Sequence, residues 1–231
     1  MRKKTMGLIV VAAMAMAAAG ATIALAATIV GTDNSESLFG TPRSDQIQAL
    51  GGDDAVFARN GNDAVDAGDG NDNVFGERGA DFVNAGLGND TVDAGQGRDF
   101  VVGEDGNDTI MGREGNDLLR GRSGDDIVRG GRGQDHVFAG PGVDTTFGGP
   151  GDDVMYALAQ SDAALPGGDT VFGGRGHDVI HVNDGESDTV DCGRDRDMAI
   201  VDLGDLDQTK HCEVVIQRAP NPQEDQQESG A

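Results

Sequence analysis

One large aliphatic residue returns every nine positions along the middle of the chain: Ile47, Val56, Val65, Val74, Val83, Val92, Val101, Ile110, Leu119, Val128 and Val137. A period of nine fits neither the 3.6-residue repeat of a helix nor the two-residue alternation of an ordinary strand. It marks a repeat whose units complete themselves against their neighbours. With the aliphatic residue at position eight, position one is Gly or Ala in every unit from Gly40 to Gly148, and position four is Gly in twelve consecutive units, Gly52 to Gly151. Glycine tolerates positive φ and leaves backbone carbonyls uncovered, whereas Val and Ile suit a pleated, half-buried surface. Each unit is therefore predicted to be a tight turn and a very short strand, its aliphatic side chain pointing inward. Thr146 and Met155 weaken the row, residues 158–168 interrupt it, and the pattern resumes at Asp169–Phe172 and Gly173–His181 before fading. The first two units depart from the pattern, with Asn34, Glu36 and Arg43 at positions four, six and four, and read as an N-terminal cap.

The polar half of the unit is as regular. Position six is Asp in thirteen consecutive units: Asp45, Asp54, Asp63, Asp72, Asp81, Asp90, Asp99, Asp108, Asp117, Asp126, Asp135, Asp144 and Asp153. Ala67-Gly-Asp-Gly-Asn-Asp-Asn-Val-Phe75 and Gly130-Gly-Arg-Gly-Gln-Asp-His-Val-Phe138 are typical units. They resemble the G-G-x-G-x-D-x-U-x nonapeptide of the repeats-in-toxin (hemolysin-type) family, which binds calcium. The resemblance implies an all-β fold, a right-handed parallel β-roll in which two units make one coil and turns alternate between two sides. Aspartates eighteen residues apart would then stack in two columns, one running from Asp54 to Asp144 and the other from Asp45 to Asp153. Strands about 4.8 Å apart would bring like charges close, and Ca²⁺, which takes six to eight oxygens, would relieve the repulsion. Carried over unit by unit, one site joins Gly68, Gly70 and Asp72 to Ala85, Leu87 and Asp90, with Gly86 and Gly88 among the metal-binding glycines. Asp178, after the interruption, is expected to take part as well. The implied cofactor is Ca²⁺ in multiple copies, about ten ions, and Mg²⁺ fits less well because it demands near-octahedral geometry and holds its water.

The N-terminus reads as a signal peptide over residues 1–26, with Arg2, Lys3 and Lys4, an apolar run from Met6 and a small-residue site at Ala24-Leu-Ala26. The expected organisation is a roll over 27–182, a small C-terminal cap over 183–216 and a disordered tail over 217–231. Cys192 and Cys212 are the only cysteines. In an exported chain an even pair favours a disulfide, worth roughly 3 kcal/mol for a loop of about twenty residues in the chain-entropy model.

The full chain has 17 Lys and Arg against 41 Asp and Glu, −24 in all, and removing the first 26 residues makes it −27. Such charge opposes compaction and excludes nucleic acid as an expected partner, since phosphate contacts need basic side chains. It suits a fold completed by cations: without metal the glycine-rich, aromatic-poor chain should be largely disordered, and metal binding supplies folding free energy. Extracellular calcium modules bind at about 10⁻⁴–10⁻³ M, so folding after export is expected, with a secreted or cell-surface location and no transmembrane anchor once the signal is cleaved.

No catalytic or organic-cofactor site is expected. His177-Asp-Val-Ile-His181 has the spacing of a zinc-protease motif but would lie on a strand, which separates the histidines by about 13 Å. No G-x-S-x-G or phosphate-binding loop is present. Position three, where an ice-binding file would be sought, is irregular and charged (Asp69, Arg78, Leu87, Gln96, Asp105, Glu114). Expected partners are calcium ions and a cell wall, a polysaccharide or a protein. Phe82, Phe100 and Leu118 fall on one outer face near Val102, and Phe57 and Phe75 on the other, as candidate contact rows. The favoured role is non-enzymatic, in adhesion or assembly; the alternative is an accessory module that aids secretion or stability of a separately encoded enzyme.

Overall fold

A computed structural model describes residues 9–11, 26–157, 168–203 and 207–219. Among them there is no helix, and the strands form two stacks whose members alternate along the sequence. Thr28–Val30, Gln46–Gln48, Ala64–Asp69, Phe82–Leu87 and every second strand thereafter to Val214–Arg218 make a twelve-stranded sheet, begun at its edge by Ile9–Val11. Ser37–Phe39, Ala55–Phe57, Asn73–Phe75 and their successors to Gln208–Lys210 make a ten-stranded sheet. Apart from the antiparallel contact of Ile9–Val11 with Thr28–Val30, neighbours are parallel. Val101 lies between Val83 and Leu119, each eighteen residues away, so two nonapeptides make one coil of a parallel β-solenoid of about ten turns.

The aliphatic row is the core. Ile47, Val56, Val65, Val74, Val83, Val92, Val101, Ile110, Leu119, Val128 and Val137 are all buried, as are the position-one alanines Ala49, Ala58, Ala67, Ala85, Ala94 and Ala139. Thr146 and Met155, which break the sequence pattern, stand in the same row and are equally buried. The core is thin, with two inward side chains per unit, each large one worth about 1.5–3 kcal/mol. Against it stands the ordering entropy of a chain with 38 glycines.

Several strands are longer than the very short ones that the repeat predicts. Phe100–Asp105 and Thr109–Glu114 run on through position three, because position two keeps pairing although its φ is positive, at Gly and also at Leu50, Arg59, Glu77, Glu104, Arg113 and Arg122. Residues 158–167 of the interruption lie outside the described part. Across them the register steps by 25 residues, from Thr145 to Thr170 and from Val154 to Val179. Afterwards it steps by 19, from Thr170 to Thr189 and from Val179 to Met198. The C-terminal segment is built from the roll's own coils: Thr189–Arg194 and Gln208–Lys210 extend one sheet, Met198–Asp202 and Val214–Arg218 the other. Cys192 and Cys212 form the expected disulfide, Cα atoms 5.1 Å apart, which ties these last coils together. Of residues 1–26 only Ile9–Val11 and Ala26 are described, and of the tail only 217–219.

Candidate metal centre

Each position-six aspartate sits at the end of a turn, one residue before a strand, and is buried. Its backbone N–H donates to the Oδ1 of the aspartate one coil further on. Asp45 bonds Asp63, then Asp81, Asp99, Asp117, Asp135, Asp153, Asp178 and Asp197 follow in one file, at 2.7–3.0 Å. Asp54, Asp72, Asp90, Asp108, Asp126, Asp144, Asp169 and Asp188 make the other, at 2.7–2.8 Å. The two columns drawn from the sequence are thus brought together as two continuous files.

The second oxygen is different. Oδ2 is buried and without a hydrogen-bond partner in Asp54, Asp63, Asp72, Asp81, Asp90, Asp99, Asp108, Asp117, Asp126, Asp135, Asp144, Asp153 and Asp178. Asp45, at the end of its file, is not among them, because the Thr41 N–H donates to its Oδ2 and the Ala27 N–H to its Oδ1. A buried acceptor left unpaired is costly, and the proton equilibrium registers it. Burial, reinforced by neighbouring aspartates, pushes Asp81, Asp108, Asp117 and Asp153 up to about 7. Burial and then the charge of Asp169 push Asp144 to about 9. A cation beside these oxygens would invert the shift.

Backbone oxygens converge on the same places. A Cβ built on Gly112 would lie 2.6 Å from Asp117 Oδ2 and 2.5 Å from the Gly130 carbonyl oxygen, one coil on. The same pairing occurs at Gly130, with Asp135 Oδ2 and Gly148 O, and at Gly148, with Asp153 Oδ2 and Gly173 O. At these three glycines a carboxylate oxygen and a position-one carbonyl from successive coils therefore lie close together. Gly68, Gly70, Gly86 and Gly88 all have positive φ, and a Cβ on Gly86 or Gly88 would overlap the carbonyl oxygen of Gly68 or Gly70. The Leu87 carbonyl already accepts the Gly70 N–H at 2.8 Å and keeps a second lone pair. Among the described residues no three His, Cys, Asp or Glu side chains converge on one point. An ion here would draw much of its shell from the backbone, as hard oxygen-seeking cations do.

The files continue past the point where the sequence pattern fades. Asp188 N–H bonds Asp207 and Asp197 N–H bonds Glu213. Cys192-Gly-Arg-Asp-Arg-Asp-Met-Ala-Ile200 is a nonapeptide with Asp197 at position six, a signal hidden by the change of spacing from eighteen to nineteen. His177 and His181 are not a metal pair: His177 lies 3.5 Å from Asp152, and His181 stacks on Tyr156.

A family model described as the RTX calcium-binding nonapeptide repeat (4 copies) matches residues 30–65, 66–101, 102–137, 120–155, 133–163 and 164–198. The chain belongs to the RTX calcium-binding nonapeptide repeat family. Its repeats bind Ca²⁺, several ions to the roll. Among solved structures, the X-ray crystal structure of a hyperactive, Ca²⁺-dependent, β-helical antifreeze protein from an Antarctic bacterium is similar over 85% of this chain and 87% of that one, with 19% identity and a TM-score of 0.29. No curated protein matches the sequence. No helix among the described residues is long and apolar enough to cross a membrane.

Proposed function

We propose that this RTX chain is an exported, non-enzymatic module that folds on meeting extracellular Ca²⁺ and then serves adhesion or assembly at a cell surface or in a matrix. In this reading Asp54 to Asp153 and Asp178 hold the ions through their Oδ2 atoms, helped by carbonyls of residues such as Gly68, Gly70, Gly86 and Gly88. One observation carries the proposal: two buried files of carboxylates have an unpartnered oxygen at nearly every step. So many uncompensated carboxylates would oppose folding in a calcium-poor cytoplasm, and cations would reverse the balance outside. The test is far-UV circular dichroism of residues 27–231 during Ca²⁺ titration, with Mg²⁺ as control. A cooperative rise in β signal near millimolar Ca²⁺ alone is expected; a folded spectrum in chelator would end the proposal.

The second reading, an accessory module for a separately encoded extracellular enzyme, is favoured by the outer face of the twelve-stranded sheet. There Phe82, 46% exposed, meets Phe100 at 5.2 Å beside Leu118. Recovery of one enzyme in stoichiometric amount with the calcium-loaded chain, lost in F82S/F100S, would favour it over attachment to a surface.

A further inference from the structure

One face of the roll carries a charge opposite to that of the chain. Across the strands from Thr109–Glu114 to Gln208–Lys210 of the ten-stranded sheet stand Arg113, Arg129, Arg132, Arg175, Arg194 and Lys210. The same strands hold only two carboxylates, Glu114 and Asp191. In a sequence with 41 acidic and 17 basic residues, this is a local reversal of sign.

The backbone shapes the face into a groove. Position two is Gly131, Gly149, Gly174 and Gly193 in four successive coils, all at φ between 102° and 119°. In place of the side chains that Arg59 or Glu77 present in earlier coils, these leave bare backbone as a floor. Position-nine side chains, including Phe172 and Asp191, form one wall, and position-three side chains, Pro150, Arg175 and Arg194, form the other. With His211 at its end, this open part of the groove has a volume of about 660 Å³. A second part of about 380 Å³, lined by Arg113, Arg129 and Arg132, meets the first at Pro150. Six strands at about 4.8 Å make the whole roughly 24 Å long.

The arginines are not equally engaged. Arg113 makes two hydrogen bonds to Asp93, at 3.0 and 2.6 Å, and Arg129 lies over the Phe147 ring. Arg132 reaches Glu114 only at 3.7 Å. Arg175 and Arg194 are register partners in adjacent strands, both exposed, with no acidic partner within salt-bridge distance among the described residues. Like charges facing each other across strands are destabilising, and an anion laid between them would turn that cost into attraction. A guanidinium fork also matches a carboxylate in geometry.

We infer that this groove binds a linear acidic polysaccharide, with its carboxylates along Arg132, Arg175 and Arg194. The inference rests on the reading of the chain as an extracellular attachment module and names the partner. A nucleic acid fits less well. Phe147 and Phe172 stack face to face at 4.9 Å, so their ring faces offer bases no platform, and a chain of −24 repels so densely charged a polymer.

The test is calorimetric titration of residues 27–231, folded in Ca²⁺, with hyaluronate oligosaccharides, against neutral dextran and a single-stranded oligothymidylate. Salt-sensitive binding of hyaluronate alone is expected, weakened at least tenfold in R175E/R194E. Position three carries Asp, Leu, Gln, Ser or Pro in other units, so the calcium-induced spectrum should be unchanged; R175Q/R194Q serves if the charge reversal disturbs it. Equal affinity in the variant, no affinity of the wild type for hyaluronate, or tighter binding of the oligothymidylate would overturn the inference. If wild type and variant attach equally to cells or neutral glycans, the attachment reading survives and the groove does not. If neither binds any cell or glycan, both fall.

Discussion

The N–H of Asp72 donates to Oδ1 of Asp90, eighteen residues further on, at 2.7 Å, while Oδ2 of that same carboxylate is buried with no hydrogen-bond partner. One oxygen fixes the register between coils; the other is left unpaired, and a cation or a proton would satisfy it. Because Asp54, Asp72, Asp90, Asp108, Asp126 and Asp144 all do both, stacking the coils and concentrating negative charge are the same event. On the function proposed above, that coupling would make the roll dependent on its ligand, in contrast to a solenoid whose coils are held by a wide apolar core.

Replacing one carboxylate by its amide separates the two tasks. Asp90→Asn keeps an oxygen for the Asp72 N–H but removes a charge shared by two successive turns. The Ca²⁺ midpoint should rise severalfold, about 1–3 kcal/mol for a buried interaction lost, in a circular-dichroism titration. Asp53→Asn is the control: Asp53 accepts the Asn71 N–H at 2.9 Å on the exposed side of the turn and should leave the midpoint in place. Equal effects of the two would mean that position six is not special.

Acid should partly replace calcium. The carboxylates of Asp81, Asp108, Asp117 and Asp126 are raised to about 7, mainly by burial, from an ordinary 3.8. The metal-free roll therefore binds more protons than the unfolded chain between about pH 4 and 7, and its stability increases as pH falls through that window. In chelator, β content should grow between about pH 7.5 and 5. In Ca²⁺ the trend reverses, since protons compete for the same oxygens and the Ca²⁺ midpoint should climb. A metal-free spectrum that does not change with pH would contradict the burial of these groups.

The sequence made the roll readable because its two ladders are periodic. Val83, Val101 and Leu119 repeat at a spacing that only stacking can bury, and Asp72, Asp90 and Asp108 repeat with them. Strand length was not readable, because Glu104 and Arg113 adopt positive φ at position two, where glycine would be sought, and carry pairing through to position three. The late aspartates were hidden by one extra residue per coil, which shifts Asp188 and Asp197 out of phase in the sequence while leaving them in file in space. The basic groove was invisible for another reason: Arg175 and Arg194 become neighbours only after the two-coil topology places them in register.

Glycine at positions two and four should respond oppositely to exchange. Gly88 has φ of 129°, and a Cβ there would overlap the Gly70 carbonyl oxygen. Gly88→Ala should cost several kcal/mol, as backbone strain and overlap add, with loss of the calcium transition at millimolar Ca²⁺. Glu104 already holds its side chain at φ 74°. Glu104→Gly removes a left-handed strain of about 1–2 kcal/mol and adds unfolded-state entropy of about 1 kcal/mol. Thermal unfolding in saturating Ca²⁺ should therefore show no loss and a gain of up to about 1 kcal/mol. A destabilised E104G would mean that position two needs its side chain.

The last coils have the least apolar support. Val214 and Val215 are 37% and 44% exposed, whereas the corresponding core row further back is fully buried. Here the covalent link from Cys192 to Cys212 does what packing does elsewhere, closing a segment of twenty residues around the final turns. Reduction, or C192S/C212S, should therefore cost about 3 kcal/mol in the chain-entropy model, and the loss should be local. Hydrogen exchange in saturating Ca²⁺ should quicken first in Thr189–Arg194, Gln208–Lys210 and Val214–Arg218, leaving Phe82–Leu87 to Ile127–Arg132 protected. The Ca²⁺ midpoint should rise with it, since fraying removes the coil that orders Asp188 and Asp197. Uniform loss of protection along the whole roll would show instead that the solenoid unfolds as one unit and that the disulfide acts on all of it.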